Sequence, residues 1–169
     1  KDKNNSELND SKIITQSNDS LENDENINLK LEVPKFSVNS GFYKDDISLK
    51  IYCDFDDYDI YYTVDGSEPN INSTKYEKEI TITDRSDEKN IYSNIEGIAP
   101  QEFIPKDKVT KATVVKAIAI DKNGTRSKSA INTYFVGIDM KKQYNNLAVM
   151  SLSLNPYDLF DYEKGIYIQ

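Results

Sequence analysis

The chain has 169 residues, with 29 acidic and 21 basic side chains, a formal net charge of −8, one cysteine and no histidine. A surface of that sign repels phosphate backbones and anionic lipid, which argues against binding nucleic acid or acidic membranes, and no apolar run approaches membrane-spanning length. The missing histidines exclude His-based triads and imidazole metal sites, and a single cysteine excludes an internal disulfide.

Residues 1–30 are rich in Asn, Asp, Ser, Lys and Glu, with one short apolar patch at Lys12–Thr15. Such a segment buries too little surface to offset its chain entropy, so it reads as a flexible polar leader. From Leu31 the texture changes to short apolar alternations separated by turn residues, the pattern of an all-β sandwich. Pro34 suits the start of an edge strand, where a missing N–H does little harm. Ser40–Asp46 reads as a turn. In the next run, Ile47, Leu49, Ile51 and Cys53 fall on one face and Ser48, Lys50 and Tyr52 on the other. Cys53 reads as a buried structural thiol on the core face.

The acidic stretch that follows offers Asp54, Asp56, Asp57 and Asp59 as candidate Ca²⁺ ligands, although the spacing is not that of an EF-hand. The strand after it should place Ile60, Tyr62 and Val64 inward and Tyr61 and Thr63 outward. Tyr52, Tyr58 and Tyr61 are candidate solvent-facing contacts for a carbohydrate or a protein. This strand stops at Asp65-Gly66-Ser67-Glu68-Pro69. Gly66 can take positive φ, the Asp65 carboxylate and the Ser67 hydroxyl can bond nearby backbone, and Pro69 prevents the strand from resuming. Asp65, Gly66, Ser67 and Pro69 therefore read as a structural turn, with no catalytic residue assigned.

Tyr76–Thr83 reads as a shorter strand pair, and residues 84–108 as a long connection with one helical turn near Ile91–Ile95. Within that connection Asp84 should close a turn and Arg85 pair locally. Thr110–Gly124 is a strong strand ending at a Lys-Asn-Gly corner, with Lys116 facing solvent and Val115, Ala117 and Ala119 inward. Ile131–Gly137 returns as the last sandwich strand. Residues 139–169 contain a strand-like run, a Pro-initiated turn and a second apolar run. So many large apolar groups imply that this extension lies against something, either the sandwich or a further domain. The expected organisation is a leader over 1–30, a sandwich over 31–138 and an extension over 139–169.

The Tyr-rich strand and its corner carry a resemblance. Tyr61, Tyr62, Thr63, Asp65, Gly66, Ser67, Pro69, Ser73 and Tyr76 resemble the chitobiase/β-hexosaminidase C-terminal type module, an immunoglobulin or fibronectin III-like β-sandwich. Further stretches ("PKFSVNSGFY", "ITITDRSDEKNIYSNI", "TYFVG" and "SLSLNPYDLFDYEKGIYI") are similar to the amino-terminal half of CotH-family proteins, which are spore-coat, secreted protein kinase-like proteins. That resemblance implies an accessory domain at an extracellular, spore-coat or cell-surface address. It also implies a downstream kinase-like domain as partner, to which ATP and a divalent metal would belong, and spore-coat or surface proteins as further partners. The alternative is a carbohydrate-binding accessory module of a secreted glycoside hydrolase. A third reading, an enzyme in its own right, lacks any supporting motif.

Overall fold

The computed structural model describes residues 31–54, 56–97, 104–145 and 147–166. The leader expected over 1–30 lies outside them. The described residues form nine strands: β1 Lys35–Phe36, β2 Gly41–Tyr43, β3 Ile47–Leu49, β4 Ile51–Tyr52, β5 Tyr58–Thr63, β6 Thr74–Lys75, β7 Ile80–Ile82, β8 Thr113–Asp121 and β9 Ala130–Val136. A 3-10 turn at Tyr92–Asn94 and two short helices, α1 Met140–Tyr144 and α2 Pro156–Phe160, complete the order.

The strands form an immunoglobulin-like sandwich. One layer is the five-stranded sheet β2-β9-β8-β5-β6. The other is built on the Ile47–Tyr52 run, whose first half pairs with β7 and whose second half pairs with β1. The alternation predicted for that run holds: Leu49 and Ile51 are buried, and Ser48, Lys50 and Tyr52 are exposed. Leu49, Ile51 and Ile82 from this layer meet Val115, Ala117, Tyr134 and Val136 from the other to form the core. Each such side chain contributes roughly 1.5–3 kcal/mol through burial. As expected, Pro34 directly precedes an edge strand, since among the described residues β1 pairs only with β4.

The first stretch of the sandwich, Lys35–Tyr43, serves both layers through two strands. Lys35–Phe36 pairs antiparallel with β4, and five residues later Gly41–Tyr43 pairs parallel with β9 in the opposite sheet. Gly41–Tyr43 is thus a strand and not the expected turn. Phe42 stacks on Phe135 of β9 with centroids 4.5 Å apart, and the turn begins only at Lys44. The crossing at Val38 is pinned from the far end of the chain. The Tyr134 hydroxyl donates to the Val38 carbonyl at 2.9 Å, and the Asn132 amide donates to the same oxygen at 3.0 Å.

Three other expectations are corrected. The predicted strand pair over Tyr76–Thr83 is a single strand, β7, which pairs with β3, while β6 ends before that range and pairs with β5 in the other sheet. Val64 is 43% exposed, since β5 ends at Thr63 and Asp65 has already turned to bridge Val114. Lys116 is buried, not solvent-facing. Thr63 and Ile131 flank it on the neighbouring strands, and its ammonium stands 3.6 Å from a carboxylate. Val115, Ala117 and Ala119 point inward as predicted and are fully buried.

Past β9, the strand-like run of the extension joins no sheet, and the Pro-initiated turn is helix α2. Asn155 caps α2 by accepting from the Tyr157 N–H at 3.0 Å, with Pro156 at its first turn. The extension folds back on the sandwich. Tyr144 meets Phe42 edge-on, Phe160 stacks on Tyr92, and the Ser151 and Thr133 hydroxyls are 2.9 Å apart.

Candidate functional site

The Asp65–Asn70 corner brings two acids and a serine together within four residues, Asp65 to Glu68. Gly66 has φ +81°, as the turn required, and its N–H donates to the Val114 carbonyl at 3.0 Å. The Ser67 N–H and hydroxyl both donate to Asp65 Oδ1, at 3.0 and 2.6 Å. The Ser67 hydroxyl, then its N–H, together outweigh burial and hold the Asp65 carboxyl below the usual carboxylate range; the Arg85 charge adds to this. The Thr63 hydroxyl closes the loop by donating to the Ser67 carbonyl at 2.6 Å, and Pro69 is fully buried. Asn70 and Ser73 exchange two bonds at 2.9 Å, and the Tyr76 N–H donates to the Ile60 carbonyl. Each residue of the Asp-Gly-Ser-x-Pro…Ser-x-x-Tyr pattern thus acts on backbone or core.

Sequence reasoning left Glu68 without a role, and the structure gives it one. Its carboxylate accepts from Arg126 at 2.6 Å and from the Ser129 hydroxyl, and stands 3.6 Å from the Lys116 ammonium. Burial pushes the Glu68 carboxyl up, but the Ser129 and Arg126 hydrogen bonds and the two neighbouring cations prevail and hold it below its ordinary value. The corner is therefore clamped to β8 and to the β8–β9 connection. Asp65 and Glu68 are both committed to local partners.

The acidic stretch does not converge. Asp54 pairs with Lys35, Asp57 with Lys122 at 2.6 Å and Asp59 with Lys75 at 2.8 Å. Asp56 is exposed, and among the described residues no group of three or more His, Cys, Asp or Glu could hold a metal ion. Nor do the three candidate tyrosines share a platform. Tyr52 lies on β4 in one sheet, while Tyr58 and Tyr61 lie on β5 in the other, three positions apart and so on opposite faces. Tyr58 shares the face of Ile60 and Tyr62 and is half-buried, a correction to its expected exposure. Burial pushes the Cys53 thiol up, against a hydrogen bond with Tyr58 that lowers it.

Asp84 closes the predicted turn by accepting from the Ser86 N–H and hydroxyl at 2.8 and 2.6 Å. Arg85 grips Glu88 with two bonds, at 2.9 and 2.6 Å, so its guanidinium pairs locally as expected. An open groove of about 380 Å³ lies between the extension and the outer face of β2 and β9, lined by Ser40, Phe42, Ile131, Thr133, Val149 and Ser151. Its lining mixes apolar side chains with hydroxyls and includes no acid or base.

This geometry is that of a structural module. Residues 38–96 match the chitobiase/beta-hexosaminidase C-terminal domain family. The match spans about a third of the chain, from the β1–β2 crossing through the 3-10 turn. It supports a module of that type, immunoglobulin-like and non-catalytic. β8 and β9, which complete the module's larger sheet, lie beyond the matched span. No curated protein and no solved structure matches the chain. The comparisons give no support to the CotH-family resemblance. No helix among the described residues is long and apolar enough to cross a membrane.

Proposed function

We propose that the chain is an accessory β-sandwich that orients a neighbouring domain of the same polypeptide, with its carboxyl-terminal extension as the docking arm. The observation that carries this reading is the segment 148–154. Met150, Leu152 and Leu154 are 81%, 73% and 48% exposed. The alternate residues Val149, Ser151 and Ser153 line the groove on the sandwich. Their backbone makes no backbone hydrogen bond to the described residues. No charged side chain occurs from Asn145 through Tyr157, in a chain that is 30% charged. A contiguous uncharged apolar face beside unpaired backbone is the surface of a strand-like segment that lacks a partner.

The CotH-family resemblance favours an atypical protein kinase domain as that neighbour, where ATP and a divalent metal would bind. Spore-coat or cell-surface proteins would then be its targets. An extracellular address is supported by the module, whose type is typical of extracellular proteins.

The test is to express the chain together with the polypeptide encoded after Gln169 and to follow ATP consumption and protease cleavage within 147–166. The expected result is that ATP is consumed only by the longer protein. The arm should be protected there, and Leu152→Asp should expose it. ATP consumption by residues 1–169 alone, or an arm equally cleavable in both, overturns the reading. A hydrolase barrel downstream, with glycan capture by the sandwich, would establish the carbohydrate-binding alternative instead.

A further inference from the structure

The β8–β9 connection carries the chain's sole Asn-Gly pair, Asn123–Gly124, and the β5 corner carries its sole Asp-Gly pair, Asp65–Gly66. Both pairs have the connectivity for one spontaneous reaction. The backbone nitrogen of the glycine attacks the side-chain carbonyl carbon of the preceding residue and closes a five-membered succinimide. Glycine permits this most readily, because no Cβ crowds the approaching nitrogen.

We propose that Asn123 is a deamidation site, and that Asp121 governs how fast it reacts. In the step itself, the Gly124 nitrogen loses its proton and bonds to Asn123 Cγ, and the side-chain amide leaves as ammonia. Water then opens the ring at either carbonyl, giving aspartate or isoaspartate. A neutral side chain becomes an anion, and no oxidant or reductant is involved.

The two pairs sit in different environments. Asn123 and Gly124 are exposed, and a Cβ at Gly124 would meet no atom within 4 Å. At Gly66 the same added atom would touch the Val114 side chain at 3.4 Å, and the Gly66 N–H is bonded to the Val114 carbonyl within β8. The Asp65 carboxylate is held ionised by Ser67, and an ionised carboxylate is a poor electrophile. Asn123 offers an uncharged amide, for which no such protection exists.

What restrains Asn123 is the turn. The Asp121 carboxylate accepts from the Asn123 and Thr125 N–H groups, each at 2.8 Å. The Asp121 carbonyl accepts from the Gly124 N–H at 3.0 Å, which engages the nucleophile itself. The Asp121 N–H in turn donates to the Thr125 carbonyl at 3.0 Å. The reaction therefore waits on local opening of this four-bond turn. Isoaspartate would add one backbone atom inside it. The disturbed segment leads directly into Arg126 and Ser129, which clamp Glu68.

The experiment incubates the purified chain at mildly alkaline pH and follows the peptide containing residues 122–126 by mass spectrometry. Isoaspartate is scored separately by a methyltransferase assay. Native protein should acquire the acid at Asn123 and not isomerise at Asp65. Unfolding in urea should speed the change at Asn123 about tenfold or more, a factor on the scale of one or two lost hydrogen bonds. Asp121→Ala, which removes the two carboxylate bonds and keeps the two backbone bonds, should react severalfold faster than wild type under native conditions and stay below the urea rate. Asp121→Asn, which keeps an acceptor oxygen and secures the result if the alanine variant does not fold, should stay near wild type. An Asn123 that persists even in urea overturns the site. Equal rates for folded and unfolded chain, or for wild type and Asp121→Ala, overturn the role of Asp121.

Discussion

The hydroxyl of Tyr134, on the last strand of the sandwich, donates to the carbonyl of Val38, where the chain crosses between sheets. The ring is fully buried between the layers and half-crossed with Tyr43, at 6.2 Å between centroids. Burial, with a smaller opposing contribution from Asn132, pushes the Tyr134 hydroxyl up to about 12. Removing the hydroxyl does not orphan the carbonyl, because Asn132 also donates to it. Tyr134→Phe should therefore cost only about 1 kcal/mol, read from urea unfolding.

The same tyrosine sets an alkaline limit. Its folded value lies above its ordinary 10.0, so the folded state holds the proton more tightly than the unfolded chain. The resulting stability is complete below pH 10 and is lost as pH rises towards about 12. Melting temperature against pH should fall across that window. The fall should be shallower in Tyr134→Phe. Identical slopes for the two proteins would contradict the assignment.

Glu68 and Lys116 form the reciprocal test. Glu68 is half exposed, while the Lys116 side chain is 10% exposed. Glu68→Ala should cost about 1–2 kcal/mol, below the figure for a fully buried pair, because water still reaches the carboxylate side. Adding Lys116→Met, an apolar residue of similar length, should recover most of that loss. Because the Glu68 carboxyl titrates below its ordinary 4.5, its contribution is complete above that pH and is lost as pH falls through the lower folded value. Additive losses in the double variant would show that the two side chains do not interact.

Two glycines should respond differently to substitution. Gly66→Val places a branched side chain at φ +81° against Val114 and should cost on the order of 1–3 kcal/mol. At Gly137, φ is +73° and an added Cβ would collide with the Asp84 carboxylate. Gly137→Ala should therefore destabilise at least as much, and Asp84→Ala in the same chain should relieve part of it. Strict additivity of those two changes would deny the contact.

For the acidic stretch the expected outcome is no response to calcium. Asp54, Asp57 and Asp59 each spend their charge on a different lysine, and directing them to one ion would break three ion pairs. A melting temperature that rises on adding millimolar Ca²⁺ and returns with chelator would restore the metal reading.

Local patterns made much of this fold legible. The Ser48–Tyr52 alternation placed the faces of β3 and β4 correctly, although Cys53 beyond it is only partly buried, and Asp-Gly and Asn-Gly gave the positions of two positive-φ corners. What stayed hidden depended on distant chain. Gly41–Tyr43 carries turn-like neighbours and becomes a strand only because β9 supplies its partner some ninety residues later. The burial of Lys116 depended on Glu68, and Glu68 found its other partners 58 and 61 residues away. The three tyrosines looked like one surface because spacing along the chain does not reveal which sheet a strand joins.

The parallel pairing of β2 with β9 also fixes how the domain carries load. A pull directed outward from Leu31 and from Asp139 draws these two strands past each other in opposite directions. Their bonds, with the Gly137 N–H to the Tyr43 carbonyl at 2.9 Å at one end and the Thr133 N–H to the Ser40 hydroxyl at 3.0 Å at the other, are then loaded in shear and must fail together. An antiparallel pair pulled from its open ends would instead unzip one bond at a time, so this arrangement gives the sandwich tensile strength along its own chain.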